Sequence, residues 1–124
     1  MDTRSKILTR EAAERLSGPL TLVTGYFDVL LAGHVRDLQT VRDRAPDQPM
    51  LVAVQPHPGE VLEPAVRAEL VAALRVVDYV VTADHDHLEE LIERLRPAEV
   101  VRLEATDVSR TRRLIEDAQR SQNR

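Results

Sequence analysis

Leu20-Thr21-Leu22-Val23-Thr24-Gly25-Tyr26-Phe27-Asp28-Val29-Leu30-Leu31-Ala32-Gly33-His34 is the stretch that decides the fold. Leu20 to Thr24 is a short apolar run rich in β-branched residues, the pattern of a strand buried on both faces. Gly25 lets the backbone turn at the strand end, and Gly25 to Ala32 reads as a loop. From Gly33 to about Arg44, Val35, Leu38 and Val41 recur at helical spacing. A strand, a glycine-flanked loop and a helix thus follow one another in the first part of the chain.

The same alternation continues outward. Pro46 to Pro49 breaks the chain, and Met50 to Val54 is a second strand. Gln55 to Glu63 is a loop holding Pro56, Pro58 and Gly59. Pro64 suits the first position of a helix, for which Val66, Leu70, Ala73 and Leu74 form the expected apolar stripe. Asp78 to Val81 is a third strand. A helix starts near His87, with Leu88, Leu91, Ile92 and Leu95 inward, and Pro97 stops it. Glu99 to Leu103 is a fourth strand. A last helix is predicted from about Ser109 to Gln119, with Ser121 to Arg124 a frayed tail. Ahead of the first strand, Thr9 caps a short helix through Leu16 that Gly18-Pro19 ends. Strands alternating with helices predict an α/β domain whose parallel sheet of four to five strands is covered on both faces. In such sheets ligands bind beyond the C-terminal strand ends, where the winding reverses.

Composition sets the bounds. The 124 residues fit a single domain, 1–124. Hydrophobic residues at 43% predict a folded core, and aromatics at 2% leave that core to Val, Leu, Ile and Ala. A net charge of -4 argues against a nucleic-acid partner. No cysteine is present, which excludes disulfides and thiolate chemistry. No apolar run approaches the roughly 18 residues of a membrane span, and no apolar core follows Met1 to Lys6, so no signal peptide and a cytoplasmic location are expected. Lys6 is the sole lysine; the other basic residues are arginines.

In the first loop, the amides of the helix opening at Gly33 form an anion site, and His34 in the same turn adds a donor. Together they suit the phosphates of a nucleotide; equally, Gly25 and Gly33 read as plain turn residues and His34 as a surface histidine. Asp84-His85-Asp86-His87 has metal-ligand chemistry but reads better as a helix start capped by Asp86. His57 between prolines reads as a loop residue, and Arg110 to Arg113 as a solvated face with i,i+4 partners Glu116 and Asp117.

Gly25, Phe27, Asp28, Gly33 and His34 match Gly-x-Phe-Asp-x-x-His-x-Gly-His, which stands directly after the first strand in nucleotidyltransferases of the cytidylyltransferase-like family. Val35 to Leu38, Arg67 to Leu70, Leu74 to Val81 and Leu91 to Pro97 also resemble the family's helices and strands, so the likeness covers nearly the whole chain. It implies a Rossmann-like three-layer α/β/α fold and a nucleotide site of Gly25, Phe27, Asp28, Gly33, His34, Arg102, Ser109 and Thr111, with His34 catalytic. If the chain is active it implies Mg2+ with CTP or ATP and transfer of CMP or AMP to a phosphorylated small molecule. A homodimer is a further implication.

Three departures point the other way. Leu31 stands where the family has the first histidine, and losing one donor to developing charge typically costs about 10²–10³ in rate. The family's phosphate-binding lysine after the second strand has no counterpart in Gln55 to Glu60. Its late Arg-Thr-x-Gly-Ile-Ser-Thr-Thr motif is reduced to Arg102, Ser109 and Thr111, while Glu104 and Asp107 add negative charge near a phosphate site. The expectation is therefore a catalytically impaired or non-catalytic domain with weak nucleotide binding. The alternatives are an active enzyme with a variant site, or an interaction module without a ligand.

Overall fold

A computed structural model describes residues 2–122, the side chain of Thr111 excepted. A 3-10 turn, Thr3–Lys6, precedes α1 (Arg10–Glu14), β1 (Thr21–Gly25), α2 (Ala32–Arg44), β2 (Met50–Val54), α3 (Pro64–Ala72), β3 (Tyr79–Thr82), α4 (His85–Leu95), β4 (Glu99–Arg102) and α5 (Glu104–Gln122). The sheet has four strands in the order β3-β2-β1-β4, each neighbouring pair parallel. Ile7 adds a single parallel bridge to Val80 at the β3 edge. The chain walks outward from β1 to β3 and returns to β4 on the other side of β1. The winding therefore reverses between β1 and β4, and the C-terminal end of β1 is where a site is expected.

Strand side chains alternate between two cores. Val23, Val52 and Val80 pack with Leu38 and Val41 of α2 and Ala68 and Val71 of α3. Leu22, Leu51 and Val81 pack with Ala13 of α1 and Leu88 and Leu91 of α4. Helices cover both sheet faces, the α/β/α layering of a Rossmann-like fold. Each such buried Leu or Val stabilises by roughly 1.5–3 kcal/mol.

Three local readings are corrected. The buried face of α3 is Arg67, Ala68, Val71 and Ala72, whereas Val66 and Leu70 are each 41% exposed. The helix is rotated because the Arg67 guanidinium turns inward to bond loop carbonyls. The cap of α4 is Asp84, whose carboxylate accepts from His87 N at 2.9 Å, and Asp86 lies in the first turn. Helix α5 begins at Glu104, not near Ser109. Leu103 N reaches Thr24 O (2.8 Å), and Asp107 N already bonds Leu103 O (2.9 Å). No glycine or proline interrupts 104–122, and the acids Glu104 and Asp107 in the first turn favour a helix start there. Of the expected tail, Ser121 and Gln122 belong to α5; Asn123 and Arg124 lie outside the described residues.

Candidate anion site at the end of the first strand

Gly25 closes β1 where α5 comes close. A Cβ there would stand 2.8 Å from Asp107 Oδ2 and 2.8 Å from the Phe27 ring, so no larger residue fits without displacement. Phe27 follows with φ 52°, the left-handed region, which costs a non-glycine residue of order 1–3 kcal/mol. Its ring, fully buried, compensates by lying under the site with its centroid 5.5 Å from that of His34. The conformation aims two successive amides the same way: Tyr26 N and Phe27 N both donate to Asp107 Oδ2, at 2.8 and 3.3 Å.

His34 sits in the first turn of α2 and is only 1% exposed, so it is not a surface histidine. Leu31 N donates to its Nδ1 (2.9 Å). Nδ1 is thus an acceptor, and in the neutral ring the proton is on Nε2. Nε2 faces Asp107 Oδ1 at 2.6 Å, a contact of opposite polarity that lacks hydrogen-bond alignment. Arg110, one turn further along α5, lies across Gly33, where a Cβ would be 2.8 Å from Nε. Its Nη2 pairs with Asp37 (2.7 Å), and Nη1 is buried with no hydrogen-bond partner among the described residues. Two amides and one imidazole therefore surround a single carboxylate, that of Asp107, itself 3% exposed.

Asp28, which lines the same cleft as Asp107, is held by the loop after β2. Its carboxylate accepts from Val61 N (2.6 Å) and Leu62 N (2.9 Å) and lies 3.0 Å from His57 Nε2. Burial raises its pKa, but those two amides, His57 and the Arg67 charge together outweigh burial and hold it below the usual carboxylate value. The His57 ring in turn packs on Tyr26 with centroids 4.5 Å apart. Arg67, 0% exposed, ties the loops together: it donates to Tyr26 O (2.7 Å), Gln55 O (2.7 Å) and Leu62 O (2.9 Å), and pairs with Glu60. An open cleft of about 530 Å³ lies beside the cradle, walled by Tyr26, His57, Asp107, Val108, Arg112 and Ile115.

The structure brings together Gly25, Phe27, Gly33 and His34. Asp28 stays in the same loop but organises the β2–α3 connection. Arg102 is turned to the α4 side, where it pairs with Glu89 at 3.2 Å, away from the cradle. Ser109 is exposed on the second turn of α5, and Thr111 follows on that helix. The sole lysine is structural, Lys6 Nζ donating to Leu74 O at 3.0 Å. Sequence reasoning missed the buried Arg67 and the placing of Arg110. Asp107 was visible as a charge near the site; the missing signal was the early start of α5, which carries it inside.

The chain is similar to known proteins along most of its length. It is 32% identical to the D-beta-D-heptose 1-phosphate adenylyltransferase of Bordetella bronchiseptica over 112 residues, covering 81% of this chain and 67% of that protein. It is 38% identical over 100 residues to the Bifunctional protein HldE of Geobacter sulfurreducens, covering 73% of this chain but 20% of that protein. It is 36% identical over 81 residues to the FAD synthase of Methanoregula boonei, covering 62% of this chain and 55% of that protein. The chain thus spans about a fifth of the length of that HldE protein and about half of the FAD synthase. A crystal structure of the lipopolysaccharide core biosynthesis protein from Thermoplasma volcanium shares the fold, with TM-score 0.58 at 19% identity over 66% of this chain and 71% of that one. No family model matches the sequence. With a nucleotidyltransferase matched over two thirds of its length and the same parallel-sheet architecture, the chain belongs to the cytidylyltransferase-like nucleotidyltransferase family.

Proposed function

We propose that this chain is a non-catalytic member of its family, with at most weak nucleotide binding. One observation carries the reading: His34, the remaining histidine of the signature, faces the chain's own Asp107 carboxylate at 2.6 Å. Nucleotidyl transfer relies on positioned donors that meet charge developing on the transferred phosphoryl group. Leu31, at the N-cap of α2, offers no side-chain donor, and the loop 55–60 offers no lysine or arginine. A carboxylate on the loop amides also repels a phosphate from the same place. A magnesium-bound CTP or ATP does not fit this cradle as it stands, and no catalytic step is derived through one.

The test is pyrophosphate release from MgATP and MgCTP with a phosphorylated sugar as acceptor, D-beta-D-heptose 1-phosphate first. The reading expects none above background from the wild type. Turnover that disappears in His34→Ala overturns it.

A second reading, contact with a protein partner or a second copy of this chain, is favoured by α5. Val108, Leu114 and Ile115 are 45%, 48% and 52% exposed, and every residue described from 112 to 122 is exposed. Sedimentation of wild type against an Ile115→Glu/Leu114→Glu variant checks it: a dimer expected in the former is lost in the latter.

A further inference from the structure

We infer that Asp107 is an internal plug that keeps the first-loop phosphate site shut, and that inorganic phosphate or pyrophosphate enters only once that carboxylate is gone. The inference rests on the proposed reading of the site and extends it by making Asp107 a removable block, whose loss opens the site.

A bound anion already shows the site's preference. Asp107 Oδ2 accepts from Tyr26 N and Phe27 N at 2.8 and 3.3 Å. Oδ1 sits 2.6 Å from His34 Nε2, the ring atom that carries the proton when Leu31 N donates to Nδ1. His34 and Asp107 are 1% and 3% exposed, so the cluster is sequestered from water. Convergent amides and an imidazole N–H are the donors that hold an oxyanion elsewhere in proteins. Oδ1 and His34 Nε2 are close but not aligned for a hydrogen bond. A tetrahedral oxyanion has more acceptor directions than a carboxylate tethered to a helix, and can satisfy the amides and the imidazole together. Arg110, stacked across Gly33 with Nη1 buried and unbonded among the described residues, is one further donor next to the first turn of α2.

Asp107 is held by α5, and its backbone N bonds Leu103 O at 2.9 Å. A phosphate entering the wild type must therefore displace the carboxylate, and its apparent affinity is lowered by the fraction of time the cradle is closed. Glu104 on the same turn does not substitute for the plug, because its carboxylate is on Gln55 Nε2 at 2.9 Å.

The test titrates the full chain with pyrophosphate, and separately with inorganic phosphate, at constant ionic strength. It follows the Tyr26 and Phe27 amide resonances in wild type, Asp107→Ser, Asp107→Asn and Asp117→Ser. Asp107→Ser is expected to bind pyrophosphate at least tenfold more tightly than wild type, with both amides shifting, and His34→Ala in that background to lose most of the gain. Asp107→Asn keeps the shape without the charge and is expected to gain less; it carries the question if Asp107→Ser does not fold. Asp117→Ser removes an equal charge from the exposed end of α5 and is expected to gain nothing. Equal affinity in wild type and both Asp107 variants overturns the inference. So does a gain matched by Asp117→Ser, or one that survives His34→Ala. Should Asp107→Ser bind and also turn over, the latent site stands and the non-catalytic reading falls to a single plug.

Discussion

Replacing the arginine at position 67 by methionine keeps an unbranched apolar stem, shortens it by the guanidinium, and removes all its donors. The Arg67 guanidinium is 0% exposed and bonds the carbonyls of Tyr26, Gln55 and Leu62 in addition to Glu60. Three acceptors then face a thioether. An unsatisfied buried polar group costs about 1–3 kcal/mol, and breaking a buried charged pair typically costs about 3–5 kcal/mol. Glu60 is partly exposed and regains water, so the lower bound of about 3 kcal/mol applies. For a chain of this size each kcal/mol moves the melting temperature by about 3–5 °C, which puts the fall at roughly 10 °C or more. Urea and thermal unfolding measure the loss. Amide exchange at Val61 and Leu62, whose N–H groups bond Asp28 in the loop that Arg67 holds, should rise with it. An Arg67→Met protein within about 1 kcal/mol of wild type, with those amides still protected, refutes the view that this one buried cation fastens the loops that form the site.

Other consequences follow from the same geometry. Gly25→Ala places a methyl group 2.8 Å from Asp107 Oδ2 and the Phe27 ring, so overpacking of about 1–3 kcal/mol is expected in urea melts; a neutral result means the contact is soft. Leu31→His restores the motif's missing imidazole yet leaves Asp107 in place, so by itself it should give no turnover and no thermal shift with MgATP; a shift equal to that of Leu31→His/Asp107→Ser contradicts this. Asp28 has a folded-state pKa below its ordinary value of about 3.9. It therefore contributes stability above about pH 4 that is lost as pH falls through the folded value. Asp28→Asn should be the less stable protein near pH 6 and show a flatter decline toward pH 3, read from urea midpoints; parallel declines count against the pairing.

The sheet was legible because its strands are short apolar runs, and three of the four lie next to a proline or glycine. Met50–Val54 was located to the residue, and Thr21–Gly25 and Tyr79–Thr82 to within one. The stripe of α3 was not, since an arginine sits where a hydrophobic residue is expected inside, and periodicity alone reads Val66 and Leu70 as the inner face. The start of α5 was missed for a related reason. Glu104 to Val108 carry no helix breaker, yet they also lack the apolar periodicity that would mark the helix start ahead of Ser109. Of the site, Gly25, Phe27, Gly33 and His34 were legible as a spaced motif. That the anion they surround is supplied by Asp107 could not be read, because the contact joins residues about 80 positions apart and depends on where one helix begins.

The most direct measurement is a titration of the wild-type chain with MgATP and MgCTP, observed at the Tyr26 and Phe27 amide resonances and in parallel by thermal melting. With Asp107 on those amides, the account predicts that neither resonance moves and that the melting temperature stays put at millimolar nucleotide. Saturable shifts of both amides, with the roughly 2.7 kcal/mol of stabilisation that a ligand gives at about 100 times its dissociation constant, contradict it and show the cradle open to nucleotide.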